Sequence, residues 1–157
     1  MTTAGPELRW ERTGAGAVCR SILDTLPTWF GVPEANDDYV RLAEATPTLV
    51  ATVDGRDIGL LVPVRHSAYA AEVHLMAVVP ERHRRGIGAA LLRALEEQLV
   101  AEGVEYLQVK TLADTHPDPG YVQTRAFYLA QGFRPLEVFP TLWDPSSPAL
   151  QLVKRLA

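Results

Sequence analysis

Three arginines, a histidine and two glycines are concentrated in "ERHRRGIG", residues 81–88, directly before an apolar helical pattern. The first turn of a helix has unpaired backbone N–H groups and a partial positive charge, and glycine lets a phosphate approach the backbone closely. The segment therefore predicts an anion-binding site, with a solvated surface turn as the alternative. It has neither the Lys-Ser/Thr of a P-loop nor the three-glycine spacing of a dinucleotide-binding turn, which argues against nucleoside triphosphates and NAD.

Two ionisable side chains share one face of a predicted strand, "AEVHLMAV", residues 71–78. Strand alternation places Glu72 and His74 on that face together with Met76 and Val78. Ionisable groups on a central strand are costly without a role, so both are candidates for proton transfer. The alternatives are a strand-end cap or ion pair for Glu72 and a hydrogen-bonded core residue for His74.

A third polar set alternates as metal ligands do: Asp114, His116 and Asp118 in "ADTHPDPG". Two prolines and a glycine interrupt this segment, and no further acidic cluster accompanies it. We interpret it as a turn and predict no metal.

Composition limits the class of protein. The chain has 157 residues, 47% of them hydrophobic, and a formal net charge of −4, which predicts a single domain over residues 1–157 and argues against a general nucleic-acid surface. The acidic balance weakly favours small cationic partners such as amines. The only cysteine, Cys19, has no partner for an internal disulfide, and no apolar run approaches a membrane span. The N-terminus lacks a signal-peptide core, so we expect a cytoplasmic protein.

Periodicity predicts the elements that must position these residues. Helices are expected at 15–26, 33–45, 87–100 and 124–131, and a hairpin is expected around Asp54-Gly55. Further strands are expected at 7–12, 71–79, 106–112, 133–139 and 149–156. The predicted order is β-α-α-β-β-β-α-β-α-β-β, an α/β fold with a mixed sheet, in which the crossover at 71–112 makes two neighbouring strands parallel.

With that order in place, the motifs resemble those of the GNAT superfamily of acyl-CoA-dependent N-acyltransferases. The carriers of the resemblance are Val78-Val79-Pro80, Gly86-Ile87-Gly88, and Tyr128 four residues before Gly132-Phe133. Two positions depart from the family pattern: His83 stands where Gln or Arg is usual, and Tyr121 stands where an Asn is common.

The resemblance implies a splayed parallel strand pair and acetyl-CoA as cofactor, with coenzyme A as product. Backbone N–H groups near the start of the helix, with nearby arginines, would hold the pyrophosphate, and strand amides would pair with pantetheine. The implied cofactor-binding residues are Ala77, Val78, Val79, His83, Arg84, Arg85, Gly86, Ile87, Gly88 and Ala89.

The resemblance also implies catalytic roles. Glu72 lies at the offset of the general-base glutamate of histone-type members, with His74 or water as the alternative base. The Tyr128 hydroxyl would protonate or hydrogen-bond the leaving thiolate, with an aromatic core residue as the alternative. The implied acceptor-binding residues are Trp29, Phe30, Tyr121 and Trp143, with core packing as the alternative for the tryptophans and Phe30.

These features together predict direct acetyl transfer, in a ternary complex, to a primary amine of a small molecule or peptide. Cys19 lies far from the motifs and offers no acyl-enzyme nucleophile. A different acyl donor, either a longer acyl-CoA or an aminoacyl-tRNA, and a non-catalytic acyl-CoA-binding protein stay open, as does a homodimer.

Overall fold

The structure is a computed structural model that describes residues 5–116 and 118–156. In chain order its elements are β1 (Glu7–Glu11), α1 (Gly16–Leu23), α2 (Pro33–Ala45), β2 (Thr48–Val53), β3 (Arg56–Arg65), β4 (Ala70–Val78), α3 (Ile87–Ala101), β5 (Tyr106–Leu112), α4 (Pro119–Ala130), β6 (Arg134–Asp144) and β7 (Ser147–Arg155). A single 3-10 turn, Pro80–Arg82, lies between β4 and α3. Within the described residues, none of the helices has the length and apolar character needed to cross a bilayer.

The element order is the predicted one, and the differences are at element ends. Helix α1 ends at Leu23 rather than Leu26, because the next amides switch to i→i−3 bonds before Pro27: Leu26 N donates to Leu23 O at 2.9 Å. Helix α4 begins five residues earlier than predicted. Asp118 caps it by accepting from Gly120 N at 2.9 Å, and Pro119 occupies the first turn without losing a helical bond. The intervening Pro117 lies outside the described residues.

The seven strands form one mixed sheet in the order β1-β2-β3-β4-β5-β7-β6. β4 and β5 are the predicted parallel pair, with Ala70–Val73 aligned with Tyr106–Val109, and β4 itself continues to Val78. β5–β7 and β6–β7 are antiparallel. The predicted α/β class with a mixed sheet is confirmed.

The chain folds as two compact units. The first contains residues 5–63 and 75–97. Its β2–β3 hairpin turns through Asp54 and Gly55, both at positive φ (51° and 77°), as the sequence predicted. Helix α1 packs on α2, and the core includes the fully buried Ile22, Leu61 and Leu92.

The second unit contains residues 64–74 and 98–156. Helix α3 ends within it at Gly103 (φ +82°), where Val104 N donates to Leu99 O at 2.9 Å in a Schellman-type stop. Phe133, Leu107 and Leu152 are fully buried here. Strand β6, the last strand of the sheet order, is exposed along nearly its whole length.

Candidate active site

The phosphate loop, defined as residues 83–89, has the backbone conformation of an anion-binding turn. Arg84 and Gly86 both have positive φ, 62° and 77°. Ala90 N donates to Gly86 O at 3.0 Å, the first helical bond of α3. The N–H groups of Ile87, Gly88 and Ala89 therefore precede that bond, and they are the orphan donors of a 15-residue helix. This arrangement fits a phosphate group.

The positive charges of this loop are the guanidinium groups of Arg84 and Arg85. Arg84 and Arg85 are exposed, and in the described part of the chain neither guanidinium has an ion-pair partner. Arg9, by contrast, is bound to Asp57 at 2.8 Å, and Arg56 lies 3.8 Å from Glu81. The positive charge thus stands at a helix N-terminus that already favours anions.

His83 is turned towards the strand. Its Nε2 lies 2.6 Å from the carbonyl oxygen of Val78 and donates to it, and its ring meets Trp29 edge-on at a centroid distance of 5.7 Å. The side chain therefore ties the loop to the end of β4 and contacts a predicted acceptor residue. Any phosphate contact at this position is left to the backbone.

The backbone N–H groups of Ala77, Val78 and Val79, all predicted to bind pantetheine, have different surroundings in the structure. Val79 N donates to Ile58 O of β3 at 2.9 Å, so this amide is already used within the fold and is not available for pantetheine. The backbone groups of Ala77 also face β3, because alternate residues of a strand point to the same edge. The Ala77 carbonyl oxygen lies so close to Gly59 of β3 that a Cβ added to this glycine would be 3.4 Å from it. Val78 is directed to the opposite edge of β4, so its N–H faces away from β3.

Glu72 lies at the centre of a polar network on β4, β5 and β7. The residue is 7% exposed; its Oε1 lies 2.6 Å from Nε2 of His66, and its Oε2 accepts from Nζ of Lys110 at 3.0 Å. Lys110 also reaches Gln108 at 3.4 Å, and Gln151 donates to Gln108 at 2.6 Å. A buried carboxylate held in this way is satisfied on both oxygens.

His74 lies in the field of the same groups. Partial burial lowers its pKa, Glu72 opposes that shift, and Lys110 and His66 add to it. We call His66, Glu72, His74 and Lys110 the Glu72 cluster. Two of its members, Lys110 and His66, were not predicted from the sequence. Lys110 could have been found by alternation with Gln108 in "YLQVKTL", whereas His66 lies in the β3–β4 turn and gave no local signal.

Tyr128 is 5% exposed and packs edge-on against Phe127 and Phe133, with centroid distances of 5.1 and 5.4 Å. Burial raises its pKa well above the ordinary tyrosine value, so the hydroxyl stays protonated at physiological pH. It is suited to donate a hydrogen bond. Cys19 is fully buried, and burial raises the pKa of its thiol to about 11.

The remaining candidates are dispersed. Phe30 contacts Tyr39 edge-on at 6.0 Å, and its carbonyl accepts from Asn36 at 2.8 Å. The predicted strands 133–139 and 149–156 leave Trp143 in the loop between them, but in the structure it lies on β6, where the register with β7 is irregular, and it is 48% exposed. Tyr121 is half-buried in the first turn of α4.

Hydrogen bonds within the fold account for two polar residues of the turn before α4, His116 and Asp118, and for Arg125 on α4. Asp118 caps α4, and His116 Nδ1 accepts from Asp118 N at 3.2 Å. Over the described ranges, no group of three or more metal-ligating side chains occurs. Arg125 donates to the carbonyl of Leu112 at 2.8 Å, so its guanidinium serves the packing of α4 on β5.

Comparison with known proteins agrees with this architecture. The family model of the acetyltransferase (GNAT) domain matches residues 44–135, more than half of the chain. Among curated protein sequences, none matches the chain significantly.

Solved structures have the same fold at low identity. One is described as a GNAT-family acetyltransferase from Desulfovibrio desulfuricans, with TM-score 0.80, 21% identity, and coverage of 96% of this chain and 100% of that one. A second is a GNAT acetyltransferase from Elizabethkingia anophelis with acetyl-CoA bound, with TM-score 0.74, 16% identity, and coverage of 97% of this chain and 99% of that one. A third is the aminoglycoside 6'-N-acetyltransferase from Enterococcus faecium, with TM-score 0.73, 17% identity, and coverage of 96% of this chain and 97% of that one.

The family-model match, with the open cationic loop at the start of α3, places the chain in the GNAT family of acetyltransferases.

Proposed function

We propose that this protein is an acetyl-CoA-dependent N-acetyltransferase that acts on a primary amine of a small molecule or peptide. The observation that carries the proposal is the phosphate loop: orphan amides at a helix start, Gly86 at positive φ, and two arginines without an ion-pair partner in the described residues. Backbone N–H groups and positive charge arranged in this way favour binding of a multiply charged phosphate ligand. Acetyl-CoA carries that group and supplies an activated acetyl.

Three features of the chain assist transfer. The N–H groups of residues 87–89 and the side chains of Arg84 and Arg85 bind the pyrophosphate, and Val78 N–H orients the pantetheine arm. The proton of the acceptor amine leaves through the Glu72 cluster, which contains a carboxylate and two imidazoles. The Tyr128 hydroxyl donates a hydrogen bond to the leaving thiolate.

The raised pKa of Tyr128 supports one of the two roles that sequence left open for its hydroxyl. A free thiol has a pKa of about 8.5, so complete proton transfer from a less acidic phenol to a thiolate is uphill. A hydrogen bond to the developing charge needs no such transfer and is worth about 1.5–3 kcal/mol. We therefore infer a hydrogen-bond donor role for Tyr128, with the thiolate protonated by bulk solvent after CoA leaves, because neutral pH lies below the thiol pKa of about 8.5.

Transfer is direct in this proposal. An acyl-enzyme route needs an accessible thiolate, and the Cys19 thiol is fully buried with a pKa of about 11. Trp29, beside His83, supports an acceptor site near the loop. Acceptor contacts by Phe30, Tyr121 and Trp143 stay predictions from the sequence. The aminoglycoside acetyltransferase of similar fold makes amine-rich small molecules a first class to test.

The deciding experiment is a screen of amines, aminoglycosides and peptide N-termini with acetyl-CoA, in which the released CoA thiol is measured against a no-amine control. Parallel reactions with longer acyl-CoA thioesters test the donor. A rise in Tm with acetyl-CoA, as expected for a ligand of the native state, combined with no amine-dependent thiol release from any donor, would instead assign a non-catalytic acyl-CoA-binding protein.

A further inference from the structure

The turn between β3 and β4 brings a histidine against the buried carboxylate. His66 N and Ser67 N both donate to Ala70 O, at 3.0 and 3.2 Å, and this tight turn fixes the backbone from which the imidazole projects. Nε2 of His66 reaches Oε1 of Glu72 at 2.6 Å. The side chain of His66 is 43% exposed, whereas that of Glu72 is 9% exposed. Of the two bonded groups, the imidazole is the one open to solvent and to an incoming molecule.

Both carboxylate oxygens of Glu72 are bonded to neighbouring side chains. One oxygen accepts from His66 and the other accepts from the Lys110 ammonium at 3.0 Å. His66 and Lys110 therefore compensate the charge of the Glu72 carboxylate and fix its orientation. Because the carboxylate accepts from Nε2 of His66, it holds the imidazole proton on that nitrogen. The other ring nitrogen, Nδ1, is then an acceptor.

We propose that Nδ1 of His66 takes the proton of the acceptor amine, and that Glu72 positions the ring and stabilises the imidazolium. The inference rests on the proposed acetyltransferase function and names a group within it that sequence reasoning did not. The amine nitrogen bonds to the acetyl carbon as the carbon–sulfur bond breaks, and the nitrogen's proton passes to Nδ1. That proton returns to water from the exposed ring, and the departed thiolate takes one proton from water.

The charged and titratable groups around the ring are Glu72 and His74 on β4, Lys110 on β5 and Arg65, the residue before His66. Arg65 is itself paired with Glu102 at 3.3 Å. Protonation of the imidazole in acid removes the acceptor lone pair, so the rate should fall on the acid side of the profile and this limb should depend on His66.

The test compares His66→Gln with Arg65→Gln on the best amine found in the screen. Glutamine can still donate to Glu72 but takes no proton, and Arg65→Gln perturbs the same turn without removing an imidazole. We expect His66→Gln to lower kcat by about 100-fold, within the range of a general base, and to abolish the acid limb. Acetyl-CoA affinity should be unchanged, added imidazole should restore part of the rate, and Arg65→Gln should behave as the parent.

Two results would overturn the assignment while leaving the acetyltransferase proposal intact: a parent-like pH profile in His66→Gln, or a loss of rate that imidazole does not restore. The second would mean that the histidine only supports the turn. A readout independent of turnover is the ring tautomer by ¹⁵N NMR of the intact protein. The proton should be on Nε2, and a dominant Nδ1–H form would also exclude the role. Absence of acetyl transfer by the parent enzyme itself would count against the proposed function.

Discussion

Replacement of Gly86 by asparagine and by aspartate separates backbone strain from charge at the phosphate loop. Gly86 has φ +77°, and a Cβ built on it meets no atom within 4 Å, so the cost of a side chain is conformational and not steric. Asn and Asp both tolerate this left-handed region better than other residues, and we expect each to cost about 1 kcal/mol. For a chain of this length, that is a fall in Tm of about 2–4 °C in both variants.

The two variants should differ when the cofactor binds. A carboxylate about 5 Å from one phosphate charge is repelled by about 1 kcal/mol in water and about 3 kcal/mol at an effective dielectric constant near 20. Gly86→Asp should therefore bind acetyl-CoA about 10- to 100-fold more weakly than Gly86→Asn. High salt should narrow the gap, because the interaction is screened.

Calorimetric titration of both variants with acetyl-CoA and with desulfo-CoA, at low and high salt, measures this difference, and Arg85→Ala provides a milder comparison because it leaves the amides in place. Equal affinities of Gly86→Asp and Gly86→Asn for CoA would refute the reasoning, since a carboxylate within the loop would then not meet the pyrophosphate. The cofactor's phosphates would have to lie elsewhere.

Other changes give equally definite expectations. Tyr128→Phe keeps the aromatic packing and deletes one hydrogen bond to a developing charge, so kcat should fall by about 10- to 100-fold with Tm and acetyl-CoA affinity nearly unchanged; parent-like turnover would remove Tyr128 from the mechanism. Glu72→Gln should lower kcat at least about 10-fold without changing acetyl-CoA affinity, and should lower Tm because the Lys110 ammonium loses its counter-charge. Cys19→Ala should retain parent turnover, and the native thiol should resist a thiol reagent at neutral pH; loss of activity would favour an acyl-enzyme. Asp118→Ala should lower Tm by about 2–4 °C through loss of about 1 kcal/mol of capping, whereas an unchanged Tm would show that Pro119 alone starts α4.

Features that depend on local spacing could be predicted from the sequence. The Asp54-Gly55 turn, the apolar stripe of α3 and the strand-helix crossover at 71–112 are properties of neighbouring residues, and the structure has all three. The phosphate loop belongs to this class, because positive φ at a glycine before a helix and the orphan amides that follow are local consequences of chain geometry. Alternation within β4 likewise placed Glu72 and His74 on one face.

The contacts of these groups depend on long-range folding and could not be predicted from local spacing. Lys110 meets Glu72 across 38 residues because β4 and β5 align Glu72 with Gln108, and no pattern within either strand specifies that register. His66 reaches the same carboxylate because a tight turn folds it back over the start of β4. Val79 N–H was predicted to meet the cofactor, but pairing with Ile58 uses it within the sheet. A backbone donor serves whichever partner long-range pairing brings to it, so its availability is settled by the folded sheet and not by the spacing of residues along the chain.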